Sequence, residues 1–363
     1  MAFSKLQKEL INTAKYLVVR GKGILPVDEP TGILGSFFKE SEAVADTPEN
    51  RRRHLEILFT SDCSLGNCIS GVIFLEQTFV EKTKDGTPFL KLLDHLNILP
   101  GIKLDLGITD LAGSQGEKTT KGLDDLPERC RMYKVMGAKF AKWRCVFKIG
   151  EQTPSQLAIE TNTTLLARYA IICQQNGLVP IVEPEVLCDG DHDLERAKLT
   201  SIKVLSAQVK ALLDHGVLLE GMLLKCSMIR PGHACETVCT PEQVAEATIE
   251  VLTRTIPPAI PGITFLSGGL SEIDATTYLN SINKHPGVNK PWSLTFTFGR
   301  ALQATVMKIW GGKDEKVAAA QQEFIKRVKA NSKASLGNYS SKDEGNGEDD
   351  DARKSLFNPE HSY

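Results

Sequence analysis

No stretch of this 363-residue chain is apolar for long enough to cross a bilayer, and Met1-Ala2-Phe3-Ser4-Lys5-Leu6-Gln7-Lys8 lacks the apolar segment of a secretory leader. The expectation is a cytoplasmic protein with no membrane insertion. A charge excess is missing as well: 43 Lys and Arg face 45 Asp and Glu, a formal charge of -2. That leaves no global field to attract nucleic acid or an anionic membrane, so an anionic ligand must be held by local groups. The seven histidines are dispersed. His233, Cys235 and Cys239 lie close in sequence, but no second Cys/His pair at finger spacing completes a metal site. Asp189-Gly190-Asp191-His192-Asp193 reads as a loop ending in the N-cap of a helix near Leu194. No metal ligand and no cofactor is therefore assigned. Nine cysteines, an odd number, are scattered through a chain too large to need covalent staples and are read as reduced thiols.

What the chain has is an alternation of short apolar runs and longer helical ones. Phe3, Leu6, Leu10, Ala14 and Leu17 recur at helical spacing, which predicts an amphipathic helix covering one face of the fold before the first strand. Strands are expected at 23–28, 68–76, 101–107, 140–147, 178–187, 221–228, 263–269 and 293–299. Helix starts are marked by Thr47-Pro48, Thr153-Pro154 and Thr240-Pro241, with Gln156 and Gln243 completing capping boxes at the last two. Gly177 and Gly216 stand where helix ends want a left-handed residue.

Eight mostly continuous apolar strands alternating with helices fit a parallel α/β architecture covered on both faces. Eight is the number that closes a (β/α)8 barrel. An open doubly wound sheet would want a glycine-rich fingerprint after its first strand, whereas Gly21-Lys22-Gly23 comes before it. The expectation is one barrel domain over residues 1–339, with an N-terminal helix. Residues 340–363 would form a mobile acidic tail whose end, through Tyr363, regains aromatic character.

Chemistry in such a barrel sits at the C-terminal strand ends, and here those ends are charged. Strand one reaches Asp28-Glu29, strand three carries Lys103 and Asp105, and strand four Lys142 and Arg144, two apart and so on one face. Strand five carries Glu183 and Glu185, and Gly221-Met222-Leu223-Leu224-Lys225 ends an apolar run in a lysine. Asp105 alone reads as a satisfied structural charge. Lys142 and Lys225 are expected to face each other across the mouth, each depressing the other's pKa and leaving Lys225 an amine able to attack a carbonyl. Glu183 and Glu185 would move protons and Asp28 would act on a hydroxyl. Ser267, Gly268 and Gly269 after strand seven, and Gly299 and Arg300 before a helix, form the expected phosphate site. Cys226, beside the lysine, is a candidate redox-sensitive thiol.

Gly21-Lys22-Gly23-Ile24-Leu25 with Asp28-Glu29, Gly101-Ile102-Lys103, Phe140-Ala141-Lys142-Trp143-Arg144, Pro180-Ile181-Val182-Glu183-Pro184-Glu185, Leu223-Leu224-Lys225, Phe265-Leu266-Ser267-Gly268-Gly269, Phe298-Gly299-Arg300-Ala301-Leu302-Gln303 and the terminal Tyr363 together resemble the eukaryotic class I fructose-bisphosphate aldolases. The resemblance spans essentially the whole chain. It implies a (β/α)8 barrel, usually a homotetramer, that reversibly cleaves fructose 1,6-bisphosphate to dihydroxyacetone phosphate and glyceraldehyde 3-phosphate without metal.

By that resemblance Lys225 forms the Schiff base and Glu183 handles protons in its formation. Asp28 takes the C4 hydroxyl proton, while Lys142 and Glu185 tune the site. Ser267, Gly268, Gly299 and Arg300 hold the C1 phosphate, Lys103 and Arg144 face the C6 end, and Tyr363 exchanges the proton at C3 of the enamine. The sequence departs from the family where Ser-Thr-Gly-Ser and a later arginine are usual: here stand Pro30-Thr31-Gly32-Ile33 and Phe37. Cys226-Ser227 likewise replaces Pro-Asn after the lysine. Two hydroxyls and a cation near a substrate phosphate are thus absent, which implies weaker preference for the bisphosphate over fructose 1-phosphate. The rival readings are a metal-dependent lyase and a divergent paralogue serving mainly as a scaffold or binding protein.

Overall fold

The computed structural model describes residues 4–29, 44–340 and 342; the substitutions at Pro30, Ile33 and Phe37 and the tail from Asp343 through Tyr363 lie outside them. Eight parallel strands form a nearly closed barrel in the order β1 (Gly23–Val27), β2 (Ile69–Phe74), β3 (Leu99–Lys103), β6 (Phe140–Phe147), β7 (Val179–Val186), β8 (Leu223–Ser227), β9 (Gly262–Leu266) and β10 (Ser293–Phe296). The missing numbers are a hairpin, β4 (Ile108–Asp110) with β5 (Lys118–Thr120), in the connection after β3. The sequence reading passed over this hairpin, although Gly113 to Gly116 between two short β-prone runs is its signal. At the seam, Thr295 Oγ1 donates to Lys22 O at 2.6 Å, and Phe296 lies against Gly23.

Around the barrel run α1 (Lys5–Leu17), α2 (Pro48–Phe59), α3 (Phe89–His95), α4 (Leu126–Met136), α5 (Gln156–Gln175), α6 (Leu194–Asp214), α7 (Pro241–Thr255), α8 (Glu272–Lys284), α9 (Arg300–Trp310) and α10 (Val317–Ala334). Their starts follow from local chemistry. Thr47 accepts from Asn50 N, the Thr240 and Gln243 capping box forms in full, and Asp193 accepts from Arg196 N at 2.8 Å. Gly177 and Gly216 close α5 and α6 at φ +77° and +68°. The expected cap at Thr153 does not form. Ser155 caps α5 instead, because the Glu117 carboxylate takes Ser155 N at 2.8 Å and its hydroxyl, fixing the chain two residues later; Gln156 then opens the helix and turns to Glu160.

The expected strand ends were also too long. Asp28, Asp105 and Glu76 fall beyond their strands, and Glu76 starts a one-turn helix, Glu76–Phe79. These polar residues ride just past the ladder, at the rim.

The barrel interior explains the charged ends. One cluster joins Ile24, Ile73, Phe140, Val179, Ile181 and Leu223 with Leu10, Ala14, Leu17 and Val18, so α1 plugs the N-terminal end of the barrel. Inward positions two residues further along the same strands are Pro26, Lys142, Glu183 and Lys225. β6, β7 and β8 therefore run from an apolar floor to a charged mouth, while a larger apolar layer lies between strands and helices. The floor is filled by Phe140, whose ring occupies the space a Cβ at Gly101 would take, 2.3 Å away. Gly101→Ala is expected to cost about 1–3 kcal/mol through this overpacking. It should appear as a lower urea midpoint with an unchanged slope; a wild-type midpoint would contradict the close fit.

Candidate active site

A cavity of about 190 Å³ opens at the C-terminal ends of the strands, bordered by Asp28, Glu29, Lys103, Asp105, Lys142, Arg144, Glu183, Glu185, Lys225 and Arg300 among others. Ten charges share its wall, five of each sign. Charge in such a place persists only when paired.

The pairing is a chain. Glu183 lies between two ammonium groups, with Lys225 Nζ 2.7 Å from Oε1 and Lys142 Nζ 3.4 Å from Oε2. Lys142 also approaches Asp28 Oδ2 at 2.7 Å. Parallel register puts these residues together: Lys142 stands beside Lys103 and Ile181, and Lys225 beside Thr264. Lys142 and Lys225 thus sit on the strands flanking β7 rather than across the mouth, and the expectation that each depresses the other fails for Lys142. Burial opposes its charge, but Asp28, Glu183 and Asp105 outweigh burial and raise its pKa above the usual lysine value. Burial would push Glu183 up, yet Lys225, Lys142 and Arg144 hold it down at about 2.

The outer pairs follow the same logic. Arg144 Nε contacts Glu185 Oε2 at 2.5 Å, and Lys103 pairs with Asp105, also donating to its carbonyl at 3.0 Å. Asp105 is the satisfied structural charge expected of it. Lys103 and Arg144 are presented to the cavity already neutralised by carboxylates.

On the opposite wall, Ser267, Gly268, Gly299 and Arg300 line the cavity, with Gly269 just behind Gly268. Gly299 is the N-cap of α9, so the positive end of that helix points into the site. The two loops are braced from behind. Glu272, at the start of α8, accepts from Thr305 N at 3.1 Å and Thr305 Oγ1 at 2.7 Å, while Arg327 of α10 donates to Glu272 O and Thr276 Oγ1, each at 2.7 Å. Gln303 of α9 donates to Pro26 O at 3.2 Å and meets His54 Nε2 at 2.8 Å. Wall residues that escaped the sequence reading as site residues include Glu29, whose carboxyl burial raises against the pull of Arg300, as well as Thr297 and, from the hairpin, Ile108. Glu29 was visible as a strand-end charge; the other two carry no sequence signal.

A family model described as fructose-bisphosphate aldolase class-I, of the glycolytic type, matches residues 9–363. The chain belongs to the class I fructose-bisphosphate aldolases. It is 51% identical to fructose-bisphosphate aldolase C of Homo sapiens over 98% of this chain and 97% of that protein. To the muscle-type enzyme of Lethenteron camtschaticum it is 53% identical, with the same coverage. A solved structure of the Plasmodium falciparum aldolase, in complex with TRAP and a small-molecule inhibitor, superimposes with a TM-score of 0.91 at 46% identity, covering 93% of this chain and 97% of that one.

Within this aldolase frame the arrangement supplies an amine at hydrogen-bond distance from a carboxylate, a second carboxylate tied to a second lysine, and two cationic ends. Among the described residues no three His, Cys, Asp or Glu groups gather to hold a metal ion. Cys226 does not fit a redox role: it is buried, and burial together with Glu183 pushes its thiol up to about 12, away from the reactive thiolate.

The depressed Glu183 pKa has a consequence for acid stability. Its folded value of about 2 lies below the ordinary 4.5, so its ion pairs stabilise the fold above 4.5 and are lost as pH falls toward 2. Wild type should exceed Glu183→Gln in stability by a constant margin above pH 4.5, and that margin should shrink below it. Parallel curves through this window in denaturant titrations would contradict the assignment.

Proposed function

We propose that this aldolase cleaves fructose 1,6-bisphosphate reversibly to dihydroxyacetone phosphate and glyceraldehyde 3-phosphate through a Schiff base on Lys225. The observation that carries this reading is the buried chain Lys225, Glu183, Lys142, Asp28, in which an amine and a proton acceptor lie 2.7 Å apart. Glu183 accepts the Lys225 proton, and the free amine attacks the C2 carbonyl. With that ammonium charge gone, the carboxyl is no longer held ionised by it and returns the proton to the carbinolamine oxygen, which leaves as water. The iminium then draws electrons from the C3–C4 bond while Asp28 takes the C4 hydroxyl proton, releasing the aldehyde triose. Lys142, 2.7 Å from Asp28 Oδ2, orients the carboxylate for this step. Tyr363 exchanges the proton at C3 of the enamine, and water hydrolyses the remaining imine.

Ser267, Gly268, Gly269, Gly299 and Arg300 take the C1 phosphate. Lys103 and Arg144 take the C6 end, with Glu185 releasing Arg144 to the incoming phosphate. The low counts of hydroxyl and cation at Pro30, Ile33 and Phe37 favour relaxed selectivity toward fructose 1-phosphate. A cytoplasmic homotetramer that needs no metal completes the reading, and the intact set of charged residues favours catalysis over a scaffold role.

Borohydride in the presence of dihydroxyacetone phosphate should fix a covalent adduct on Lys225, absent from Lys225→Met. A folded wild-type sample that forms no adduct would favour the scaffold, and cleavage abolished by chelator would favour a metal enzyme. Steady-state kinetics on the two sugars test the selectivity. A lost charge-assisted phosphate contact is worth about 1.5–3 kcal/mol, roughly tenfold or more in affinity, so the bisphosphate advantage should be reduced by about that factor relative to an aldolase with the full motif.

A further inference from the structure

The barrel strands are laddered in series from β1 to β10, and among the described residues no ladder joins β10 back to β1. Pro26 of β1 suits that open seam. Proline is confined to sheet edges because it has no N–H to give a ladder, but its carbonyl, once buried, still needs a donor. Pro26 is buried and lines the cavity.

The donor comes from α9. Gln303 stands four residues after the N-cap Gly299, and helix side chains lean toward the N-terminus, so its amide returns to the level at which the helix begins. There Nε2 donates to Pro26 O at 3.2 Å and to Gly299 O at 3.1 Å. The bond from Thr295 to Lys22 O crosses the same seam before the first residue of β1. Gln303 is the tie at the mouth.

Carbonyls only accept, so both N–H groups of the Gln303 amide are committed and its oxygen faces the other way. That oxygen meets His54 Nε2 of α2 at 2.8 Å, and the ring nitrogen must therefore be the donor. Burial keeps the ring neutral, bringing its pKa down to about 4. His54 Nδ1 is buried with no partner among the described residues, and the ring stacks on Trp310 at the far end of α9, with centroids 6.4 Å apart. No other arrangement of protons satisfies both carbonyls, so the amide has one orientation.

The two carbonyls belong to different halves of the site. Gly299 opens α9 beside Arg300, at the C1-phosphate end. Pro26 lies two residues before Asp28, the acceptor of the C4 hydroxyl proton. A sugar bound for cleavage spans both halves, whereas the three-carbon ketone has no C4 hydroxyl to present to Asp28. We propose that Gln303, its amide oriented by His54, is a positioning residue for carbon–carbon cleavage: it sets the separation between the C1-phosphate end and the Asp28 carboxylate. The inference rests on the roles proposed above for those two groups. Gln303 is not on the cavity wall, so it acts through the backbone it ties.

The C1-phosphate end has supports of its own. Gly299 O also accepts from Leu302 N at 3.1 Å. The loop after β9 is held by Arg230, whose Nη2 donates to Gly268 O at 2.9 Å, with His233 Nε2 3.2 Å from the same oxygen. Loss of the Gln303 amide should therefore release β1 from α9 and leave phosphate binding in place.

The test compares wild type with Gln303→Met, which keeps the length without the amide, and His54→Phe, which keeps a ring against Trp310 without the donor. In Q303M the single-turnover rate of aldehyde release from fructose 1,6-bisphosphate should fall about tenfold to a hundredfold, the scale of roughly 1 Å of misplacement, with KM little changed. Borohydride trapping of dihydroxyacetone phosphate on Lys225 should proceed as in wild type, which a general loss of structure would not allow. H54F should slow the same step by a smaller factor, again with trapping intact. Wild-type cleavage in Q303M, or equal loss of cleavage and trapping, would overturn the proposal. If Q303M does not fold, H54F decides: slowed cleavage with full trapping supports the tie, and cleavage as in wild type overturns it. Failure of wild type itself to trap the ketone would remove the roles on which the inference rests, and the inference with them.

Discussion

Everything at the mouth of this barrel depends on one carboxylate held between two ammonium groups. Removing Glu183 from water costs several kcal/mol, as it does for any buried ion, and only the nearby cations make the ionised form the stable one. The converse is equally binding: Lys142 and Lys225 are buried and need the carboxylates on β7 and beyond β1. The site is a neutral cluster assembled from charges, and a proton moved anywhere within it alters the hold on the rest. A Schiff-base mechanism needs this property, since the same carboxyl must be base when the amine is freed and acid when water leaves.

The barrel makes such a cluster affordable by spatial separation. Along β6, β7 and β8 the inward residues change from apolar to charged over two positions, from Phe140 to Lys142, Ile181 to Glu183 and Leu223 to Lys225. Helix α1 seals the floor, so the interior is packed below and polar only where the mouth opens. The charged residues stand on strands whose ladder fixes their spacing, while the groups proposed to take the C1 phosphate stand on loops after β9 and β10. Those loops are held from behind by Glu272, Arg327 and Gln303 and from the side by Arg230. Rigidity comes from the sheet in one half of the site and from buried hydrogen bonds in the other.

The periodicity of two was enough to place Lys142 with Arg144 and Glu183 with Glu185 on single inward faces, and the glycines at 177 and 216 marked real helix ends. Local reading failed where a distant group intervened. Glu117 moved the start of α5 from Thr153 to Ser155, and a hairpin without long apolar runs went unseen. The expected depression of Lys142 by Lys225 failed for the same reason, because it counted two charges and could not see which carboxylates stood between them and beside Lys142.

The sequence alone determined the class of fold, the identity of the charged strand ends and the family, because apolar period, capping chemistry and residue type are local properties written in order along the chain. Which charges pair was decided by the tertiary structure. Strand register and barrel curvature set Glu183 between its two lysines and brought Arg230, His233 and Gly268 from two separate loops to one carbonyl. An electrostatic balance depends on distances of a few ångströms between residues far apart in sequence, and those distances exist only once the barrel has closed.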